Sequence, residues 1–222
     1  MRDFMAFKSV RLCLALVAGV PSVLSAQSKF EGVITISLAS PRGSAEMSYL
    51  VKNDRVRIDM SMGPGGKAYM LRDPAKNVSA MVMPEQRMYM NMQGMEAAVA
   101  GRANQSKADI KPTGKTETIA GYQCEHVIIS DDGAQYDVCG AKGIGAFHMG
   151  NGPMGGRGAA GGPPAGLSRL GADFFPLKVQ KVGGEVAMQV TKIEKKSLDE
   201  SLFTIPSDYQ KMDMPMRGRP PF

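Results

Sequence analysis

From Phe30 onward the chain alternates apolar and polar residues in short runs. Val56, Ile58, Met60 and Met62 fall on one side of such a run, and Arg55, Arg57, Asp59 and Ser61 on the other. Successive side chains leave a strand on opposite faces, so a period of two marks a strand with one buried and one wet side. The pattern predicts roughly ten or eleven strands, near residues 30–38, 45–52, 55–62, 67–72, 77–83, 87–92, 115–120, 122–130, 135–140, 175–182 and 185–194. Turn chemistry separates them: Asn53-Asp54, Gly63-Pro64-Gly65-Gly66, Asp73-Pro74, Pro84-Glu85, Asp132-Gly133 and Gly183-Gly184. These residues supply the positive or preset φ angles that tight turns require.

The expected class is therefore mainly β, an antiparallel sheet with one or two short helices. One helix is expected over Gln93 to Asp109, and a capped single turn at Ser197-Leu198-Asp199-Glu200 ahead of Phe203. Residues 143–166 are dominated by Gly and Pro, a composition that cannot build a packed core, so they read as a mobile insertion. Residues 212–222 read as a flexible tail, leaving 27–211 as a single β domain.

Residues 1–26 have a different character. Arg2, Lys8 and Arg11 precede the apolar run Leu12 to Val20, which breaks at Pro21 and ends in small residues. That is the order of a secretory signal peptide with cleavage after Ala26, and it places the mature protein in the periplasm or outside the cell. The run is too short to span a bilayer, and no transmembrane segment is expected. Cleavage removes Cys13 and leaves Cys124 and Cys139, an even number in a compartment where disulfides persist.

The hairpin flanking Asp131-Asp132-Gly133 turns about a centre at 131.5, which is also (124 + 139)/2. On that register Cys124 and Cys139 face each other directly, with Cβ atoms about 4.5–5.5 Å apart. A structural disulfide is expected; redox-active pairs favour Cys-x-x-Cys at a helix start.

Charge and composition narrow the function. With 27 Lys+Arg against 21 Asp+Glu the formal charge is +6, too mild for a nucleic-acid scaffold. There are 2 His residues: His126 on the disulfide hairpin and His148 in the Gly-rich insertion, so neither reads as a positioned base. Gly143-Ile144-Gly145 imitates the start of a phosphate loop, but no Lys-Ser/Thr follows. No catalytic residue and no cofactor are expected. Methionine is the departure: 18 in all, of which 18 − 2 = 16 remain once Met1 and Met5 are removed.

Several phrases carry a family likeness. Thr113-Gly114-Lys115 leads into Ile119-Ala120-Gly121-Tyr122-Gln123-Cys124-Glu125, followed later by Phe175-Pro176-Leu177-Lys178. Val190-Thr191-Lys192-Ile193 and Leu202-Phe203-Thr204-Ile205-Pro206 close the set. Together they resemble a bacterial family of exported domains of unknown function, DUF4412, over about Phe30 to Tyr209. That family is similar in outline to the periplasmic lipoprotein-carrier (LolA-like) fold. The resemblance implies a curved antiparallel half-barrel around a hydrophobic concavity, and it implies no catalytic residues.

Two binding readings follow, beside the plainer one in which methionine fills a core short of aromatics. In the first, a monomeric carrier holds an apolar ligand or lipoprotein chain against inward-facing Val56, Ile58, Met60, Met62, Met81, Met83, Met88, Met90 and Met92. Arg87, Tyr89 and Asn91 then face outward. Flexible, polarizable thioethers suit varied apolar partners. In the second, soft donors take copper(I): Met212, Met214 and Met216 in the tail, with His148, Met149 and Met154 in the insertion. Oxidation buffering by methionine needs no site at all.

Overall fold

The computed structural model describes residues 30–40, 43–61, 66–94, 108–131, 133–148, 164–171 and 173–212. Twelve strands dominate them: β1 (Glu31–Ser40), β2 (Gly43–Lys52), β3 (Arg55–Ser61), β4 (Lys67–Asp73), β5 (Val78–Met83), β6 (Met88–Asn91), β7 (Asp109–Ile119), β8 (Tyr122–Asp131), β9 (Ala134–Ala141), β10 (Phe175–Lys181), β11 (Val186–Lys195) and β12 (Gln210–Met212). Three single turns of 3-10 helix accompany them, at Pro84–Gln86, Ala165–Arg169 and Glu200–Phe203. No helix among the described residues is long and apolar enough to cross a membrane.

The strands form one open sheet in the order β12-β6-β5-β4-β3-β2-β1-β11-β10-β9-β8-β7. Its logic is two meanders, β1 to β6 and β7 to β11, joined where β1 pairs antiparallel with β11. The turns carry the conformations that their residues favour. Asn53 and Asn77 adopt φ of 57° and 51°, and Gly133 closes the β8–β9 hairpin at 79°.

All eleven expected strands are present, with two differences. β7 begins at Asp109, which the helix expectation had included; residues 95–107 lie outside the described residues. β12 is new, and it takes Met212 out of the expected tail by pairing parallel with β6. A three-residue strand is too short to show any periodicity. The expected cap also shifts: Asp199 is the N-cap, its side chain accepting from the Ser201 N–H at 2.8 Å.

The inner face carries the main core, including Ile34, Ile36, Tyr49, Ile58, Val127, Ile129, Val138, Phe175 and Val179. Tyr49 on β2 and Phe175 on β10 meet edge to face at 5.3 Å across two intervening strands. Over parts of β2, β4 and β5 the sheet is buried on both sides, unlike the one-sided sheet that alternation suggests. The chain after β11 runs back over the outer face. There Leu198 and Phe203 pack on Leu50, and Ile205 and Tyr209 cover Tyr69, Leu71, Val82 and Tyr89. Tyr89 is thus half-buried rather than solvent-facing, while Arg87 and Asn91 are exposed as expected. Polar clamps fix this crossing. Arg55 grips Glu200 through Nη1–Oε2 at 2.5 Å and Nη2–Oε1 at 3.0 Å, and the Arg57 guanidinium lies 3.8 Å over the Tyr69 ring.

The segment read as a mobile insertion over 143–166 enters the core at both ends. Ile144 is fully buried, and Gly166 packs so closely that a Cβ there would lie 2.7 Å from Ile129. Packing is thus seen at the two described ends, through Ile144 and Phe147 at the start and Gly166 at the close. Residues 149–163 lie outside the described residues.

Candidate functional site

Cross-strand pairing sorts the methionines onto one face. Tyr49, Ile58, Met70, Met81, Met90 and Met212 form a single row through β2, β3, β4, β5, β6 and β12. Directly opposed residues share a face, so the row continues the inner core outward into thioethers. Met83 and Met88 make a second opposed pair beside it. Met81 and Met92 are buried, whereas Met60, Met70, Met83, Met88, Met90 and Met212 are half-buried. Val56 and Ile58 are buried at 4% and 3% exposure and belong to the core floor. Met62 lies outside the described residues, as do Met149, Met154, Met214 and Met216.

A strap leaves β9 and crosses this face. The buried Tyr49 hydroxyl donates to the Ala146 carbonyl at 2.8 Å and accepts from the His148 N–H at 3.0 Å. Phe147 stacks on Tyr49 with ring centroids 6.1 Å apart and meets Phe175 edge to face at 5.3 Å. Burial pushes the Tyr49 hydroxyl pKa up. His148 therefore does not hang in a loose loop: its Nδ1 meets the Arg72 guanidinium. Burial first, and the Arg72 charge second, push its pKa down to about 4, so the ring is neutral at ordinary pH. Arg72 is itself on the inner face, opposed to Val56 on one side and Ser79 on the other.

Tyr49, Arg72 and Phe147 were missing from the candidates drawn from sequence. One signal was available for Arg72: it shares the inner face of β4 with Met70, an arginine in register with apolar residues. The strap carried no such signal, because it has no periodicity.

The disulfide is present, Cys124 to Cys139, with Cα atoms 5.4 Å apart. Its register differs from the expected one. Asp131 pairs with Ala134, so Cys139 faces His126 and Cys124 faces Glu117 on β7. The bridge is diagonal because Asp131 opposite Ala134 centres the hairpin at (131 + 134)/2 = 132.5, one residue later than 131.5. His126 is held over it, Nδ1 at 2.7 Å from Asp137 Oδ1 and Nε2 at 3.3 Å from Glu117 Oε2. Glu117, His126 and Cys139 lie within 4.8 Å of one another, but the Cys139 sulfur is consumed by the disulfide and offers no thiolate to a metal.

Fold and site define a class: an open, mainly antiparallel β domain with a methionine-lined inner face and a strap anchored on a buried tyrosine. The chain belongs to the family described as a domain of unknown function (DUF4412), which matches residues 30–209. No curated protein matches it in sequence. Among solved structures it is similar to PNGF-II, at 16% identity and a TM-score of 0.41 over 83% of this chain and 31% of that one. It is also similar to MucB in complex with MucA(peri), at 11% identity and a TM-score of 0.43 over 83% of this chain and 57% of that one. The Pseudomonas aeruginosa MucA/MucB complex gives 11% identity and a TM-score of 0.44 over 83% and 58%. The chain thus spans less than two thirds of the length of each.

Proposed function

We propose that the chain is an exported, non-catalytic binding protein that holds an apolar ligand, a lipid or lipoprotein acyl chain, against the inner face of a half-barrel sheet. The observation that carries this is the run of half-buried thioethers, Met60, Met70, Met83, Met88 and Met90, on the face that elsewhere forms the core. A packed core would bury them; a face left partly open offers adaptable apolar surface. Export is supported by the disulfide and by the basic-then-apolar N-terminal pattern. No catalytic role is assigned to His126, held by Asp137 and Glu117, or to His148, held against Arg72. The test is organic extraction of the purified mature protein followed by lipid mass spectrometry, with titration of a fluorescent acyl probe. Bound lipid or saturable probe binding supports the reading. A protein that carries none and binds no probe overturns it.

One observation favours copper(I) as a second reading: parallel pairing sets Met212 opposite Met90, itself opposite Met81. Three thioethers on neighbouring strands are the soft donor set that copper(I) prefers. A copper(I) competition titration on the parent and on Met212→Ala separates the two. Binding that weakens in the variant supports the metal.

A further inference from the structure

We infer that the inner-face site takes a long-chain carboxylic acid, whose head group is received by Arg72 and whose chain lies along the methionine row. The inference deepens the apolar-ligand reading and rests on it.

Charge carries the argument. Arg55, Arg57 and Arg87 each pair with a carboxylate, Glu200, Asp59 and Asp208 respectively. Arg72 pairs with none among the described residues and meets the neutral His148 ring instead. A guanidinium half-buried on an apolar face without a counter-ion is costly, and a bound anion relieves that cost. Its planar fork carries five N–H donors matched to a carboxylate, so the contact with His148 leaves donors to spare. Salt bridges on the outer face do not reach it: Arg72 is opposed to Val56 and Ser79, whereas Arg57 is opposed to Leu71.

The geometry beside Arg72 suits the rest of such a molecule. Met70 lies two residues away on the same strand and face, and from it the row runs through Met81 and Met90 to Met212. Three strand-to-strand steps cover about 14 Å, a length of surface that an extended acyl chain fills. A cation at one end and thioethers along the rest is the polarity of an anionic amphiphile, not of a neutral lipid or a peptide.

The test uses a dansyl-labelled fatty acid and its methyl ester, which share fluorophore and chain and differ in charge. The full mature protein is expected to bind the acid at least tenfold more tightly than the ester, with the difference shrinking as salt is added. Arg72→Met, and Arg72→Gln should that variant fail to fold, are expected to erase the preference while leaving ester binding in place. Arg72→Lys is expected to keep part of it. Equal affinity for acid and ester overturns the inference and leaves the apolar-ligand reading standing. A preference that survives in folded Arg72→Met also overturns it, since another cation must then be responsible. If neither probe binds, both readings fall.

Discussion

The Phe147 ring lies nearly parallel to that of Tyr49, 17° between planes and 6.1 Å between centroids, and so seats the strap on β2. The contact is locked by the Tyr49 hydroxyl, which bridges the Ala146 carbonyl and the His148 N–H. Tyr49→Phe keeps the ring stack and removes the bridge, leaving two strap groups without their partner. It is expected to lower the unfolding free energy by about 1–3 kcal/mol in urea titration. Amide exchange at residue 148 is expected to accelerate. Unchanged stability and exchange would show that ring packing alone holds the strap.

The outer crossing should prove equally structural. Phe203 is 5% exposed, packed against Leu50 and Leu198 beneath the Arg55 guanidinium at 5.2 Å from its ring centroid. Phe203→Ala is expected to cost about 3–5 kcal/mol, the range for truncating a buried aromatic. Thr204→Ala, at an exposed neighbouring position, serves as the control. A small effect at Phe203 would mean that the crossing is held by its ion pairs instead.

What could be read from the sequence follows a physical boundary. Strands β1 to β11 were legible because alternation is local, and turn residues such as Asn53 and Asp132-Gly133 mark their ends. The disulfide was legible in pairing though not in register, since moving the turn by one residue shifts every opposed pair. The strap and β12 were not legible. Each is defined by what it meets far along the chain, Tyr49 for Ala146 and Met90 for Met212, and no local period reports such meetings. For the same reason the methionine row was visible only as separate strand faces until pairing aligned them.

The disulfide closes a loop with a sequence separation of 15 between Cys124 and Cys139. Such a loop contributes about 3 kcal/mol by restricting the unfolded chain. The double variant Cys124→Ala/Cys139→Ala is expected to lose about 2–4 kcal/mol, with β8 and β9 still paired by their backbone ladder. Thiol labelling of the unreduced parent is expected to find neither cysteine reactive. Two reactive thiols per chain would contradict the bridge.

Met90 separates a lined space from a packed core. It is half-buried between Met81 and Met212, whereas Ile58, in the same row, is 3% exposed. Ile58→Ala is expected to cost about 2–5 kcal/mol and Met90→Ala clearly less, read from the two urea transitions. Met90→Ala is also expected to weaken binding of the fluorescent acyl probe. A full core penalty at Met90, with no probe bound by the parent, would leave packing as the methionines' role.

His148 gives the fold a pH dependence whose sign is fixed by its surroundings. Its ordinary pKa is 6.5, and burial together with the Arg72 charge lowers it to about 4 in the folded chain. Between those values the unfolded chain binds a proton that the folded chain refuses, so stability falls as pH falls. The contribution is complete above about pH 6.5 and is lost towards pH 4, with a slope of at most about 1.4 kcal/mol per pH unit for one proton. Glu200, held down to about 2 by Arg55 and then Lys52, acts in the other window: its contribution is lost as pH falls from 4.5 towards 2. The two windows therefore separate between pH 6.5 and 4.5. His148→Gln retains an acceptor for Arg72 and removes the titration. Urea midpoints of parent and variant are expected to converge as pH is lowered through this range, because only the parent loses stability from His148. Parallel curves would show that His148 takes up its proton with the same ease in both states, and that the strap does not bury it.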